Sequence, residues 1–386
     1  MMKPWQRGIE LAVLQRYAAV FKARHKALVH GAFGLTKERD VATAMAENRL
    51  AWTQGSLGDL PQACAITNRL RSNSTHRDFA KRELRIASGS IVVSSFACLD
   101  AAAGHRLLRG IEVRARARVY VEAFEEDELA REALERVGFG YCMTKIAAGS
   151  EVKGMYCSAG DVLPELPRSE SAALEVCAPD FATGDELVAA LREIDAYEHA
   201  GPMWAQHYSS YNKRKSWTAI ALRGFDANDP SFIISPREMA QSWKAANPER
   251  LISACEWTKA ATEFPTVLKL VGRIGRDFER VRLMRLAGGG GELSRHADIT
   301  DRLAGVADGR MARVHIPLVT NPGVRFKAWG IRGERIERHL PAGALCFLDQ
   351  RKPHAVTNSQ PEPRIHIVAD AVSSPALRAL LFGESP

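Results

Sequence analysis

Toward the C-terminal end the chain alternates between polar and apolar residues. The clearest runs are Ala312-Arg313-Val314-His315-Ile316-Pro317-Leu318 and Arg364-Ile365-His366-Ile367-Val368-Ala369-Asp370. A period of two belongs to a β-strand, whose successive side chains point to opposite faces. Short strands are predicted at 312–319, 324–330, 334–339, 344–349, 354–358 and 364–371, punctuated by Pro317, Gly323, Gly333, Gly343 and Pro353. Strands of this length and pitch predict a jelly-roll or related double-sheet barrel. Their polar members are histidines, arginines and carboxylates, among them Arg295-His296-Ala297-Asp298, Arg313, His315, His354 and Arg364. Strands that turn such residues inward need something charged between the sheets, because buried charges demand partners. A divalent metal and an anionic co-substrate meet that need.

The N-terminal half has a different pattern. Leu11, Leu14, Tyr17, Ala18 and Phe21 recur at helical spacing and predict an amphipathic helix over 8–29; a second is predicted from Thr36, as N-cap, to Leu50. Strands are predicted at Leu50–Thr53, Ala63–Thr67, Ile91–Leu99 and Arg116–Phe124. A small-residue turn at Asp100–Gly104 should lead into a helix, and Glu125–Val137 should be a helix stopped by Gly138. Pro164, Pro167, Pro179 and Gly184 mark residues 166–200 as a linker that contains a helix at Glu186–Ile194. Beyond it, helices are predicted at Ser235–Ala245, with Pro236 in its first turn, and at Leu251–Thr262. A strand follows at Arg280–Leu286, then a tight turn at Gly288–Gly291.

With 386 residues, two domains are expected: 1–165 as an α/β domain and 201–386 as a β-rich domain, an α+β protein as a whole. The net charge of +8 permits a nucleic-acid partner without demanding one, since basic residues are spread throughout. Seven cysteines are scattered without C-x-x-C spacing, which argues against zinc ribbons and redox motifs. The scatter suits a reducing compartment. No apolar run has the length of a signal peptide core or a membrane span. A soluble cytoplasmic protein with no membrane association is the expectation.

Chemistry concentrates in the last hundred residues. Non-haem iron that activates O2 is held by two histidines and a carboxylate on one face, with the other positions left open. His296-x-Asp298 places two such ligands on one side of a strand, and His354 supplies the third from a later strand. Arg364, ten residues after His354, presents a guanidinium suited to a carboxylate. The bland readings stand beside these. His296 and His354 could each be a loop or turn residue, and His315 and His366 could be packed in the core. Arg351-Lys352 is expected as a solvated turn, and Trp217 as a core residue. His207 and Tyr211-Asn212-Lys213-Arg214 could form a substrate wall, a nucleic-acid contact or an exposed loop, with loop the default. Arg223 is an open candidate for substrate binding.

Residues 200–372 resemble the aspartyl/asparaginyl β-hydroxylase-like 2-oxoglutarate oxygenases, which include free-proline hydroxylases. The resemblance rests on His296-Ala297-Asp298, Arg313-Val314-His315-Ile316-Pro317-Leu318, Pro353-His354 and Arg364-Ile365-His366. It implies a double-stranded β-helix core of the jelly-roll or cupin type. Fe(II) would be held by His296, Asp298 and His354, and 2-oxoglutarate by Arg364 with help from Arg313 and His315, with O2 as oxidant. The founding β-hydroxylases lack the carboxylate ligand; Asp298 matches the proline-hydroxylase branch. The implied reaction hydroxylates a C–H bond of an amino acid, or of a residue in a peptide or protein, and releases succinate and CO2.

Residues 10–160 resemble the GNAT acetyltransferases through Ile91–Leu99, the turn at Ala101–Gly104, and Val119–Phe139. Of the family's glycine pattern only Gly104 remains, and Asp100 puts negative charge where phosphates would sit. That implies a GNAT-like domain without catalysis. Three alternatives stay open: an oxygenase acting on a nucleic-acid base or nucleotide; an acyl-CoA-dependent acyltransferase whose barrel is a non-catalytic binding module; and a non-enzymatic sensor of iron or 2-oxoglutarate.

Overall fold

The computed structural model describes residues 50–384 except 55–60, 78–82, 99, 116, 125–126, 147–151, 159–165, 202–203, 208–210, 237–238, 250–253, 299–302 and 331–333. The two helices expected within 8–50 lie outside the described residues. The chain divides into two compact units, one comprising 1–165 with 331–334 and the other 166–330 with 335–386.

The first unit is built on a six-stranded sheet. Its strands are β1 (Leu50–Gln54), β2 (Pro61–Arg69), β5 (Ile91–Cys98), β6 (Val119–Phe124), β7 (Gly140–Ile146) and β8 (Val152–Cys157), in the order β1-β2-β5-β6-β8-β7. β3 (Ser74–Arg77) and β4 (Glu83–Ile86) form a separate hairpin. Among the described strands of this unit, only β5 and β6 pair in parallel. A parallel pair needs a crossover, and helix α1 (Ala101–Ala115) supplies it. Asp100 and its neighbours are therefore not a loop before the helix. Asp100 caps α1, its carboxylate accepting from the Ala103 N–H at 2.7 Å, and Gly104 lies inside the helix. A Cβ at Gly104 would come within 2.7 Å of the Ala133 Cβ on helix α2 (Glu128–Val137) and 3.0 Å of the Cys98 Sγ. The glycine thus permits close packing of two helices. Gly138 ends α2 in the left-handed conformation, as its position predicts.

The second unit has two antiparallel sheets. The larger joins β9 (Leu174–Ala178), β10 (Ala205–Gln206), β11 (Trp217–Gly224), β12 (Glu256–Trp257), β13 (Phe278–Leu286), β15 (Met311–Val319), β18 (Leu345–Leu348) and β20 (Arg364–Val372). Its order is β10-β11-β13-β20-β15-β18-β9, with β12 on β11. The smaller has the order β14-β19-β16-β17, from β14 (Gly291–His296), β16 (Val324–Trp329), β17 (Arg335–Arg338) and β19 (His354–Asn358). The strands after residue 310 fall where the alternation puts them.

The unit's helices include α3 (Arg168–Ser171), α4 (Gly184–His199), α5 (Gln241–Ala246), α6 (Pro265–Gly272) and α7 (Pro375–Phe382). Of these, α4, α6 and α7 cover the outer face of the larger sheet. Ile194, Leu270 and Leu381 from α4, α6 and α7 share a core with Val281, Leu283, Val314, Ile316, Ile365 and Ile367. A second core lies between the sheets, where Met284, Leu348 and Val368 meet Leu293, Phe326 and Val356. Strand alternation then assigns the polar positions. Arg280, Arg282, Arg313, His315, Arg364, His366 and Asp370 all share the inner side with Met284 and Val368.

Three expectations need correction. Residues 166–200 are not a linker: β9 pairs with β18, and α4 buries Ala190, Ile194 and Tyr197. The prolines there bound short elements whose partners lie far along the chain. Thr183 and Glu186 form a capping box that starts α4 at Gly184. The described part of 251–262 is not an α-helix; β12 is followed by a 3-10 turn at Lys259–Glu263. Likewise, α5 begins at Gln241, later than predicted from Pro236.

Candidate metal centre and active site

His296 ends β14 and His354 opens β19, and the two are cross-strand partners. Their ring centroids lie 4.3 Å apart. Asp298 follows two residues on, its backbone N–H donating to the Gln350 carbonyl at 2.8 Å. One ligand atom from each of the three residues lies within 4.8 Å of the others. His296 Nδ1 sits 2.8 Å from the Ser294 carbonyl and His354 Nδ1 2.9 Å from the Lys352 carbonyl. A carbonyl only accepts, so each Nδ1 carries the proton and each Nε2 presents a lone pair.

Burial lowers the pKa of both rings, that of His354 to about 3, so both stay neutral at physiological pH. Burial pushes the Asp298 carboxyl up. Arg313 and the facing histidines more than offset this and hold it well below the usual carboxylate range. Two neutral imidazoles and one ionised carboxylate are the donor set that Fe(II) takes in a facial triad, so the residues present fit that metal.

The support of this triad is only partly legible in the sequence. Lys352, expected in a solvated turn, is fully buried. Its ammonium donates to the carbonyls of Glu170, Ser171 and Ala172 at 2.8, 2.9 and 2.5 Å, at the end of α3. Its own carbonyl orients His354. Arg351 pairs with Asp349 at 2.8 Å and Glu170 at 3.4 Å. Helix α3, in the supposed linker, thus anchors the turn that delivers a metal ligand.

Arg313 uses all three guanidinium nitrogens on protein carboxylates. Nη1 donates to Asp298 Oδ2 at 2.5 Å, Nε to Asp370 Oδ1 at 2.7 Å, and Nη2 to Asp370 Oδ2 at 3.3 Å. Asp370, with no exposed surface, also accepts from Arg280 Nε at 3.0 Å and Arg282 Nη2 at 3.1 Å. Burial alone would raise its pKa, but Arg313, Arg280 and Arg282 hold it far below the ordinary value. The alternation Arg280-x-Arg282 on the predicted strand was the available signal for this cluster; its convergence on Asp370 was not visible in sequence.

Arg364 stands apart. It is 3% exposed and, among the described residues, has no ion-pair partner. Its guanidinium lies 5.0 Å from the Phe326 ring centroid, and its Nε has no hydrogen-bond partner. Burial lowers its pKa to about 9, which leaves it cationic at neutral pH. His315 Nδ1 meets His366 Nδ1 at 3.3 Å, and both Nε2 atoms are unpartnered. His315 lines the cavity beside Arg364, whereas His366 is fully buried and stacks on Phe326.

These groups surround a cavity of about 440 Å³. Its remaining wall comes from the segment for which loop was the default. Tyr211 stacks on His296 at 4.3 Å, and His207 stacks on Trp217 at 4.0 Å. Buried Asn212 holds this segment in place by donating to the carbonyls of His207 and Trp217 at 2.8 and 3.0 Å. Lys213, Arg214 and Lys215 are exposed. Arg223 lies elsewhere, donating to the Phe278 carbonyl at 2.8 Å and packing over Trp257.

Residues 186–374 match the family model described as aspartyl/asparaginyl beta-hydroxylase. No curated protein matches the chain. Among solved structures, the chain is similar to the non-heme alpha-ketoglutarate-dependent epimerase SnoN from nogalamycin biosynthesis. Identity there is 15%, over 54% of this chain and 80% of that one, with a TM-score of 0.33. A Pseudomonas putida prolyl-4-hydroxylase gives 15% identity over 52% and 92%, with a TM-score of 0.29. A Trichoplax adhaerens prolyl hydroxylase gives 14% over 55% and 88%, with a TM-score of 0.32. Among the described residues, no helix is long and apolar enough to cross a membrane. The family match gives the triad and its jelly-roll-like setting one meaning: the protein is an enzyme of the Fe(II)- and 2-oxoglutarate-dependent oxygenase class.

Proposed function

We propose that the protein hydroxylates a C–H bond of an amino acid, either free or within a peptide or protein. The observation that carries the co-substrate assignment is Arg364: a buried, charged guanidinium that faces the cavity with no carboxylate among the described residues to meet it. An isolated buried cation is expensive, and the distal carboxylate of 2-oxoglutarate would neutralise it in a bidentate fork. His315, with an unpartnered Nε2 on the same wall, is placed to add a hydrogen bond.

His296, Asp298 and His354 would hold the metal. When bound there, iron and 2-oxoglutarate supply the oxidising power: O2 is reduced, 2-oxoglutarate becomes succinate and CO2, and one oxygen atom enters the substrate C–H bond. The protein supplies position. In our reading Arg313 braces Asp298 rather than gripping the co-substrate, because its three nitrogens already meet Asp298 and Asp370. Tyr211, His207 and Trp217 wall the cavity and exclude water from the reacting face.

The boundaries 1–165 and 166–386 suit a two-domain reading with the oxygenase in the second. Support for a GNAT-like first domain comes from the parallel β5–β6 pair, its crossover helix α1 and the terminal β8–β7 hairpin. Capping of α1 by Asp100 argues against acyl-CoA chemistry there, because the carboxylate already occupies the helix N-terminus.

Anaerobic titration with Fe(II) and 2-oxoglutarate tests the oxygenase site through the visible metal-to-ligand charge-transfer band. The band should vanish in His354→Ala and need far more 2-oxoglutarate in Arg364→Ala. A band that survives His354→Ala would overturn the ligand assignment. Succinate release measured against amino acids, peptides and DNA then separates the substrate readings.

A further inference from the structure

We propose that His366 is a positioning residue for the co-substrate. Its Nδ1–H donates to His315 Nδ1, and this keeps a proton on His315 Nε2, where the distal carboxylate of 2-oxoglutarate arrives. The inference rests on the oxygenase reading of the same cavity and deepens it.

Three observations carry it. The first is register. Val368 of β20 faces His315 of β15, and His366 faces Pro317. His315 and His366 are therefore diagonal neighbours on the inner face, a separation that aromatic rings can bridge. Their Nδ1 atoms meet at 3.3 Å, with the ring planes 83° apart. Phe326 from the smaller sheet stacks on His366 and lies edge-to-face with His315. Arg364 rests over the same Phe326 ring.

The second is the proton count. Two ring nitrogens form a hydrogen bond only when one carries a proton and the other a lone pair. Burial, reinforced by the Arg364 charge, lowers the pKa of both rings well below the ordinary value. Both rings are then neutral, and each holds one proton. That leaves two arrangements. Either His366 donates and His315 is protonated on Nε2, or His315 donates and His366 is protonated on Nε2.

The third is what each arrangement leaves unsatisfied. Among the described residues, neither Nε2 has a hydrogen-bond partner. His366 is fully buried behind the cavity wall, whereas His315 lines the cavity beside Arg364. With His315 as donor, an orphan N–H is sealed in the core and a bare lone pair faces the incoming carboxylate. With His366 as donor, the core keeps only a lone pair, and the orphan N–H faces the cavity. Buried N–H groups without an acceptor are the rarer defect, and a carboxylate only accepts. The arrangement with His366 as donor avoids both penalties. Arg364 and His315 then offer two donors to one carboxylate, and His366 decides that the second is a donor at all.

The test uses the full-length protein. With Zn(II) in the metal site the protein is diamagnetic, and NMR of ¹⁵N-histidine-labelled samples reads the tautomers, assigned through His315→Phe and His366→Phe. The expected result is a protonated Nε2 and bare Nδ1 on His315, with a protonated Nδ1 on His366. With Fe(II), the charge-transfer band reads anaerobic affinity for 2-oxoglutarate and for 2-oxopentanoate, which lacks the distal carboxylate. His366→Phe retains a ring to stack on Phe326 but cannot donate. It should weaken 2-oxoglutarate by about fivefold or more and leave 2-oxopentanoate unchanged. His366→Asn, whose amide nitrogen replaces Nδ1 as donor, should recover part of that loss. In a His315→Phe background, His366→Phe should add nothing. Reversed tautomers, unchanged 2-oxoglutarate affinity in His366→Phe, or equal weakening of both oxo acids would overturn the proposal while leaving the oxygenase reading intact. Absence of the band in the wild-type protein would instead overturn both.

Discussion

The two ends of one strand treat buried charge in opposite ways. At one end of β20, Arg364 is a cation with no anionic partner among the described residues, resting over Phe326. At the other, Asp370 is a single carboxylate gripped by Arg280, Arg282 and Arg313. Both are buried, and both lie on the inner face. The Asp370 end holds itself together, because most of its hydrogen bonds are made within the protein. The Arg364 end is incomplete and makes sense only when a ligand arrives. Incomplete satisfaction of buried polar atoms is therefore a guide to where the ligand goes.

The comparison breaks most sharply at Asp370. Asp370→Asn leaves three arginines without their shared anion and should destabilise the protein by about 3–5 kcal/mol; thermal or urea unfolding reads this directly. It should also weaken metal binding, since Arg313 loses the group that aims it at Asp298. A variant with wild-type stability would mean that the cluster is not a structural unit.

Arg364→Ala should do the reverse. Its fold should be unchanged or slightly more stable, because an uncompensated cation is removed. Half-saturation by 2-oxoglutarate should rise by about 2–4 kcal/mol in binding terms, roughly 30- to 1000-fold. Loss of stability comparable to that of Asp370→Asn would erase the distinction between the two ends.

Acid should expose the buried histidines. Burial lowers the pKa of His207 to about 3 and those of His315 and His366 well below the ordinary value. Above about pH 6.5, the unfolded-state value, these rings are neutral in both states and contribute no pH dependence. As pH falls below it, the unfolded chain takes up protons that the folded protein refuses. Each ring should then cost about 1.4 kcal/mol of stability per pH unit. Unfolding midpoints of metal-free protein between pH 7 and 5 should show this, and His366→Phe should flatten the slope. The carboxylates Asp298 and Asp370, with lowered pKa values, add stability present above about pH 4 and lost only below it.

The smallest effect is expected outside both ends. Lys213→Ser, on the exposed part of the segment that walls the cavity, should change stability by less than about 0.5 kcal/mol. A large loss of activity in that variant would point to a basic contact surface instead.

Local pattern made much of the site legible. His296-x-Asp298 reads as two ligands on one side because strand side chains alternate, and the strands at 312–319 and 364–371 announce themselves by the same period. Gly138 marks the end of α2 because a helix stop is a local event. Gly104 was misleading for the same reason. A small residue near a predicted turn looks like a loop glycine, and only the approach of Ala133 on another helix reveals its packing role. Pro167 and Pro179 likewise suggested a linker, because the partner strand of β9 lies at 345–348.

The amino-acid sequence by itself determined which strand positions face inward, and hence the candidate ligands His296, Asp298 and His354 and the inward place of Arg364. Which inward charges meet was decided only by tertiary structure. Arg282 and Asp370 are 88 positions apart, and Arg313 and Asp370 are 57 apart. Their meeting depends on the register of β20 between β13 and β15. Side-chain direction follows from each strand's own alternation, whereas ion-pair partners are set by hydrogen-bonded alignment between strands distant in the chain, which no local pattern encodes.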